Sequence, residues 1–249
     1  MKPAPTITRR QCLVLGAGAA ASLRAGQAWA SARPDVVVEL FTSQGCSSCP
    51  PADRLLAELQ AMPGVLALTY HVDYWDYLGW KDTLGSPEFS QRQYDYAKAR
   101  GDMDVYTPQM IVNGGKPMVG SQRSAILTML EHSRQPKWAA PLTLSDSGKE
   151  LVIGIGAGAS VAEATLWVMP ILGRTSVKIE KGEIAGREIT YHNVVRRIVP
   201  AAKWSGKADR ISLPKDGLLP PGCTACVALL QENKVGPVLG CASWGMAGS

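Results

Sequence analysis

The sequence has no apolar run long enough to cross a lipid bilayer, which takes about 20 residues. It also has no internal repeat and no low-complexity tract. The formal net charge of +5 arises mainly in the first 30 residues, which hold four of the 26 Lys and Arg residues and no acidic residue, leaving 22 basic residues against 21 acidic ones. No basic patch with interleaved aromatic residues is present. We therefore expect neither a membrane span nor nucleic acid as a partner.

The first 30 residues are typical of an export signal. A basic stretch that contains Arg9 and Arg10 precedes an apolar run, and Ala28-Trp29-Ala30 fits a small-x-small cleavage site. The paired arginines resemble a twin-arginine signal, which exports an already folded protein. An ordinary secretory signal that happens to contain two arginines is the alternative. We predict a periplasmic or secreted protein that loses residues 1–30.

The rest of the chain shows two patterns. Residues 35–134 follow the order strand, helix, strand, one or two helices, strand, strand, helix, which is the thioredoxin arrangement. Residues 142–249 contain short alternating apolar stretches at intervals of roughly ten to twenty residues, with turn residues between them. The predicted fold class is therefore an α/β thioredoxin-like N-terminal domain (35–134) followed by a mainly β, sandwich-like C-terminal domain (142–249).

Local signals place the elements of the first half. A buried strand is predicted over residues 35–41, and a helix begins after Cys49 with two prolines in its first turn. A second helix is predicted to begin with Ser86 as its cap and to end at Gly101. Asn113-Gly114 indicates a hairpin turn.

The Cys46-Ser47-Ser48-Cys49 motif stands where the first helix begins. A helix start favours negative charge, so the first cysteine of such a motif is more acidic than a free thiol. Cys46 would attack a disulfide, and Cys49, one turn further on, would resolve the mixed disulfide. The alternatives are a static disulfide or half of a metal site.

Pro108 is the second predicted site residue. The corresponding proline of thioredoxin-like proteins is cis and lies against the CxxC motif, so Thr107-Pro108 is expected beside Cys46. A trans proline that starts an edge strand is the alternative. Tyr74 and Trp75, in the aromatic stretch 73–82, are candidates for a substrate groove together with Thr107; a packed lid is the other interpretation.

Glu39 is a candidate proton acceptor for the resolving thiol, since burial raises the pKa of a carboxyl group. It precedes Cys46 by seven residues on the first strand, whereas the corresponding acid of thioredoxin is one residue closer to its CxxC motif. An outward-facing acid is therefore an alternative of at least equal weight. His71 is interpreted as a core or groove residue rather than a metal ligand.

Three further cysteines remain in the second half. Cys223 and Cys226 open a predicted strand rather than a helix, so they lack the dipole that makes a thiolate reactive. A structural disulfide could join Cys226 to Cys241 across two strands or Cys223 to Cys226. Redox shuttling between the two CxxC pairs is a weaker hypothesis, and a four-cysteine zinc site does not match the usual short spacing.

Three segments resemble the exported bacterial proteins of the "domain of unknown function 1223" family. They are residues 38–53, His71-Val72-Asp73-Tyr74-Trp75-Asp76 and Tyr106-Thr107-Pro108-Gln109. The resemblance covers most of the mature chain and implies a thioredoxin-like fold and export. It implies no established substrate.

These observations lead to one predicted function and two alternatives. The prediction is an exported thiol–disulfide oxidoreductase that exchanges with protein or small-molecule thiols and disulfides through Cys46, without a cofactor or a metal. The first alternative is a non-enzymatic periplasmic binding protein whose CxxC disulfide is structural. The second is copper or zinc handling through the thiols.

Overall fold

The computed structural model of the chain describes residues 34–135, 137–159 and 163–246. The predicted export signal therefore lies outside the described residues. The first half contains, in chain order, β1 (Val36–Thr42), α1 (Pro50–Leu59), β2 (Val65–His71), a 3₁₀ turn (Asp76–Leu78), α2 (Pro87–Arg100), β3 (Gln109–Val112), β4 (Pro117–Val119) and α3 (Arg123–Ser133). The described second half consists of strands: β5 (Leu142–Asp146), β6 (Glu150–Ile155), β7 (Ala164–Lys178), β8 (Glu188–Val195), β9 (Val199–Trp204), β10 (Asp209–Pro214), β11 (Ala225–Glu232) and β12 (Val238–Trp244).

The local start and stop signals of α2 are confirmed. The Ser86 side chain accepts a hydrogen bond from the Glu88 amide, and Gly101 ends the helix in the left-handed region with φ 79°. At the β3–β4 hairpin, Asn113 and Gly114 both have positive φ, 49° and 71°. An Asn-Gly pair adopts such angles at low steric cost, which is why this dipeptide marks the turn.

The predicted fold class is wrong, because strands from both halves of the chain form one mixed sheet of nine strands. Along this sheet the order is β12-β11-β7-β8-β2-β1-β3-β4, with β9 also pairing with β7. The remaining three strands form a separate sheet in the order β10-β6-β5. The first half is therefore not a separate thioredoxin-like α/β domain, and the second half is not a separate β-sandwich. The boundaries 35–134 and 142–249 remain a prediction about how the chain divides.

The junction between the halves explains this outcome. β1 pairs with β2 in parallel, and the free edge of β2 is covered by β8 at Thr69 and Val194. An uncovered strand edge would leave unpaired N–H and C=O groups, so a neighbouring strand is favoured there. β7 has 15 residues and pairs with β8 over one part of its length and with β9 over another. Hydrophobic alternation identifies each strand but not its neighbours.

Helices cover both faces of the shared sheet at β1. Val38 and Leu40 pack against the apolar faces of α1 and α3, whereas Val37 and Phe41 point to the opposite face and pack against α2. The three-stranded sheet packs on β7, β11 and β12. None of the helices in the described residues is long and apolar enough to span a membrane.

Candidate functional site

Cys46 and Cys49 form a disulfide in the loop that leads into α1. The loop turns tightly, because the Cys46 amide donates to the Ser43 carbonyl and the Cys49 amide donates to the Cys46 carbonyl. Cys46 is 4% exposed and Cys49 is 0% exposed, while Ser47 and Ser48 are exposed. Both cysteines are therefore buried, and Cys46 is the slightly more exposed of the two.

The start of α1 lacks two of the backbone N–H donors that a helix start usually offers. Cys49 is the residue before the first helical turn, and Pro50 and Pro51 have no N–H group to offer to an anion. The aligned peptide dipoles of the helix still favour negative charge at this end. The Ser48 hydroxyl lies 3.4 Å from Cys46 Sγ, so it can donate to a thiolate there.

Asp53 is a buried carboxyl group on α1, one turn after Cys49. Its Oδ1 accepts a hydrogen bond of 2.8 Å from Thr42 Oγ1 at the end of β1. Burial raises the pKa of Asp53 to about 7, although the charge of His71 and the hydrogen bond from Thr42 oppose this effect. An aspartate that titrates near neutral pH beside a disulfide can gain or lose a proton during thiol chemistry.

His71, at the end of β2, is fully buried and pairs with Asp82, with Nδ1 and Oδ2 2.8 Å apart. The same carboxylate oxygen accepts a hydrogen bond of 2.8 Å from the backbone N–H of Gln44, in the loop before Cys46. Burial opposes the ionisation of Asp82, but the charge of His71 and these hydrogen bonds lower its pKa. Asp82 therefore links the end of β2 to the loop that carries the disulfide.

The aromatic stretch lies beside the disulfide loop. A Cβ added at Gly45 would lie 2.9 Å from Trp75 Cβ, so this tryptophan covers the residue that precedes Cys46. Trp75 Nε1 donates a hydrogen bond of 2.7 Å to Thr107 Oγ1. Tyr77, which is 76% exposed, stacks on the Trp75 ring with 6.3 Å between the centroids.

The Thr107–Pro108 peptide bond is cis. Trp75 contacts Thr107 on one side and the disulfide loop on the other, and a Cβ added at Gly120 would lie 3.2 Å from both Pro108 and Ala52 of α1. Tyr74 packs on the Trp75 ring and donates to Gln93 Oε1 of α2. The structure thus brings the predicted groove residues to the side of the CxxC motif.

Glu39 lies on the other face of the sheet from the disulfide. By strand alternation it shares the face of Val37 and Phe41, which is opposite to the face that carries α1. Its carboxylate pairs with Arg92 of α2 at 2.7 Å. The structure therefore does not bring this predicted proton acceptor together with Cys49.

The predicted structural disulfide in the second half is not formed: Cys223, Cys226 and Cys241 are free and buried. The β11–β12 register places Cys241 opposite Leu229 and Cys226 opposite Trp244, so the two thiols are not cross-strand neighbours. Burial raises the pKa of Cys223 and also that of Cys226, to about 12. These thiols are poor nucleophiles at neutral pH.

Sequence reasoning missed Asp53, Asp82 and Gln44. His71 is buried at the end of β2, in agreement with its interpretation as a core residue. The helical spacing could have indicated that Asp53 is buried near Cys49. Position 53 follows Cys49 by four residues and is three residues before Leu56 on the buried side of α1. No local pattern pairs His71 with Asp82. Among the described residues, no group of three or more His, Cys, Asp or Glu side chains is arranged to hold a metal ion.

Comparison with known proteins places the chain in a group without an assigned activity. Residues 37–231 match a family described as "Protein of unknown function (DUF1223)". The crystal structure of a protein from Agrobacterium tumefaciens is similar at 33% identity with a TM-score of 0.75, covering 87% of this chain and 96% of the other. The structure of HBP35 of Porphyromonas gingivalis is similar in fold alone, at 14% identity and a TM-score of 0.56, covering 87% and 76%. No curated protein matches the chain.

Proposed function

This chain belongs to the DUF1223 family, and we propose that it is an exported thiol–disulfide oxidoreductase that reacts through Cys46. The observation that carries this proposal is the Cys46–Cys49 disulfide at the start of α1, in which Cys46 is the slightly more exposed cysteine. A short CxxC loop at a helix start is suited to exchange, because the dithiol and the disulfide fit the same backbone.

The surroundings of the disulfide support the proposal. Trp75 and Tyr77 provide an aromatic surface beside Cys46, and Trp75 is held by its hydrogen bond to Thr107. An aromatic surface binds apolar side chains of a protein partner with little loss of conformational entropy. We propose that a protein thiol or disulfide docks between this surface and Pro108.

The first test maps the reactivity of each thiol. The reduced protein is treated with an alkylating reagent over a range of pH, and the label on each cysteine is measured by mass spectrometry. We expect Cys46 to react with an apparent pKa well below the free-thiol value of about 8.5, because the helix dipole and Ser48 favour its thiolate. Cys49 is expected to lag because it has no exposed surface, whereas Cys46 is 4% exposed.

The second test measures turnover of a protein disulfide in the presence of a dithiol reductant. Cys46→Ser should abolish turnover, because no nucleophile remains to form the mixed disulfide. Cys223→Ser is the matched control, since it removes a thiol outside the site and should retain turnover. Full turnover by Cys46→Ser would show that the protein is not an oxidoreductase of this kind.

A binding protein with a structural disulfide is the second candidate function, and the exposed Tyr77 ring favours it. Partner binding that is unchanged in a Cys46→Ser/Cys49→Ser variant without turnover would support this function. Export is also part of the proposal: a disulfide persists in oxidising compartments. Loss of export in an Arg9→Lys/Arg10→Lys precursor would identify the signal as a twin-arginine signal.

A further inference from the structure

We propose that Asp53 is the general base that takes the proton from Cys49 when Cys49 resolves the mixed disulfide, and that His71 and Asp82 position and charge-balance it. This inference rests on the proposed exchange function. It assigns the proton transfer to a residue of α1 rather than to Glu39.

The backbone places Asp53 one helical turn after Cys49. The Asp53 amide donates to the Cys49 carbonyl at 3.1 Å, so the two residues are one helical turn apart. Side chains four residues apart on a helix have Cβ atoms about 5–6 Å apart, and a helical side chain leans towards the preceding turn. The Asp53 carboxyl group therefore lies over the turn that begins at Cys49. Thr42 holds it there through the hydrogen bond to Oδ1.

The burial of Cys49 favours a base inside the protein. Cys49 has no exposed surface, so bulk water has little access to its thiol proton. Asp53 is itself 5% exposed and is the acidic residue in the first turn of α1. Its raised pKa, about 7, agrees with a group that exchanges a proton at neutral pH.

The groups around Asp53 belong to several elements. The pKa of Asp53 is influenced by a hydrogen bond from Thr42 of β1 and by the charges of His71 of β2, Asp82 of the loop before α2 and Arg54 of α1. The charge of Asp53 in turn raises the pKa of Tyr191 of β8. His71 and Thr42 are register partners on neighbouring strands, which puts the imidazole on the Asp53 face of the sheet.

His71 is held in a fixed orientation on the Asp53 side of the sheet. Its Nδ1 is bound to Asp82, while its Nε2 is buried and has no hydrogen-bond partner among the described residues. The His71 ring packs edge-on against Tyr191 at 4.5 Å, which fixes its orientation. The charge of His71 favours the ionised form of Asp53. His71 and Asp82 are positioning residues in this scheme.

The proposed exchange has two steps. The Cys46 thiolate attacks a substrate disulfide, so that a mixed disulfide forms and the first substrate thiolate leaves. The Asp53 carboxylate then takes the Cys49 thiol proton, and the Cys49 thiolate attacks Cys46 Sγ. The bond between the two cysteines forms, and the bond from Cys46 to the substrate breaks, releasing the second substrate thiolate. The cysteine pair loses two electrons, the substrate disulfide gains two, and protonated Asp53 returns its proton to the departing thiolate.

The experiment separates the two chemical steps. The fully reduced full-length mature chain is mixed in a stopped-flow instrument with an excess of the chromogenic disulfide dithiobisnitrobenzoate, and release of the coloured thiol is followed between about pH 5 and pH 9. The first phase reports attack by Cys46, and the second phase reports attack by Cys49. Cys46→Ser/Cys49→Ser gives the background from the other thiols.

Asp53→Asn is expected to slow the second phase roughly tenfold or more near neutral pH and to remove its inflection near pH 7, while the first phase is retained. Glu58→Gln, which changes an exposed acid of the same helix, should leave both phases unchanged. His71→Gln should shift the inflection to higher pH, because a positive charge near Asp53 is lost.

A second phase with the same rate and pH dependence in Asp53→Asn would overturn the inference and leave the proposed function standing. Absence of the first phase in the wild type would overturn both. If Asp53→Asn does not fold, the wild-type profile decides alone: a second phase that follows only an ordinary thiol pKa, with no inflection near pH 7, overturns the inference.

Discussion

Arg92 Nη2 lies 2.7 Å from Glu39 Oε1 in an ion pair that is almost completely buried between α2 and β1. The same guanidinium donates to Gln231 Oε1 of β11 at 2.6 Å and lies over the Tyr96 ring. Two halves of the chain are thus joined by one buried cation. Its carboxylate partner has a structural role on the face of the sheet away from the disulfide.

Glu39→Gln is expected to destabilise the protein by about 3–5 kcal/mol, because it leaves the buried charge of Arg92 without its partner. Denaturant unfolding of the oxidised protein measures the loss. The double variant Glu39→Leu/Arg92→Met should recover much of the stability, since it removes both charges. An unchanged midpoint for Glu39→Gln would contradict the structural role of the pair.

The free energy of unfolding should depend on pH through Asp53. Its pKa is about 7 in the folded protein against an ordinary 3.8, so the folded state binds more protons than the unfolded state between these values. The contribution of Asp53 to stability is therefore fully present below about pH 3.8 and is lost as the pH rises through about 7. The change corresponds to at most about 4 kcal/mol.

Asp53→Asn cannot ionise, so its stability relative to the wild type should improve as the pH rises from about 4 to 8. Unfolding curves of both proteins at several pH values give this difference. Glu58→Gln, on the exposed side of α1, provides the control and should follow the wild type. A difference between Asp53→Asn and wild type that stays constant over this range would show that Asp53 has an ordinary pKa.

Trp75→Phe should reduce kcat/KM for a protein disulfide several-fold, because the ring loses the hydrogen bond that holds it to Thr107. The reaction with a small chromogenic disulfide should change little, since that reagent does not need the aromatic surface. A lost hydrogen bond costs about 1 kcal/mol of stability. Trp138→Phe loses an equivalent bond to the Pro34 carbonyl away from the disulfide and is the control for that cost.

Gly45→Ala should alter the disulfide loop. The added methyl group would lie 2.9 Å from Trp75 Cβ and 3.3 Å from its carbonyl oxygen, so the backbone beneath the aromatic surface must move. We expect slower alkylation or exchange at Cys46 and a loss of about 1–3 kcal/mol in stability. Gly173→Ala, which adds a methyl group with no atom within 4 Å, should have neither effect. Equal behaviour of the two variants would show that Trp75 does not constrain the loop.

Features that depend only on nearby residues can be predicted from the sequence. Ser86, Pro87 and Gly101 delimit α2, because capping and proline act within one helical turn. The Asn113-Gly114 turn and the position of Cys46 and Cys49 at the start of α1 follow from equally local rules. Alternation also predicts short strands throughout the second half, and the described second half consists of strands.

Which elements meet depends on the packing of the whole chain. The pairing of Thr69 with Val194 joins the two halves in one sheet, although the residues are far apart in the chain. The same holds for Arg92 with Gln231 and for the groups that surround Asp53. Alternation determines that a side chain is buried, but its partners depend on which free strand edge is covered and which buried charge is compensated. Those are properties of the whole packed chain, and no short segment contains them.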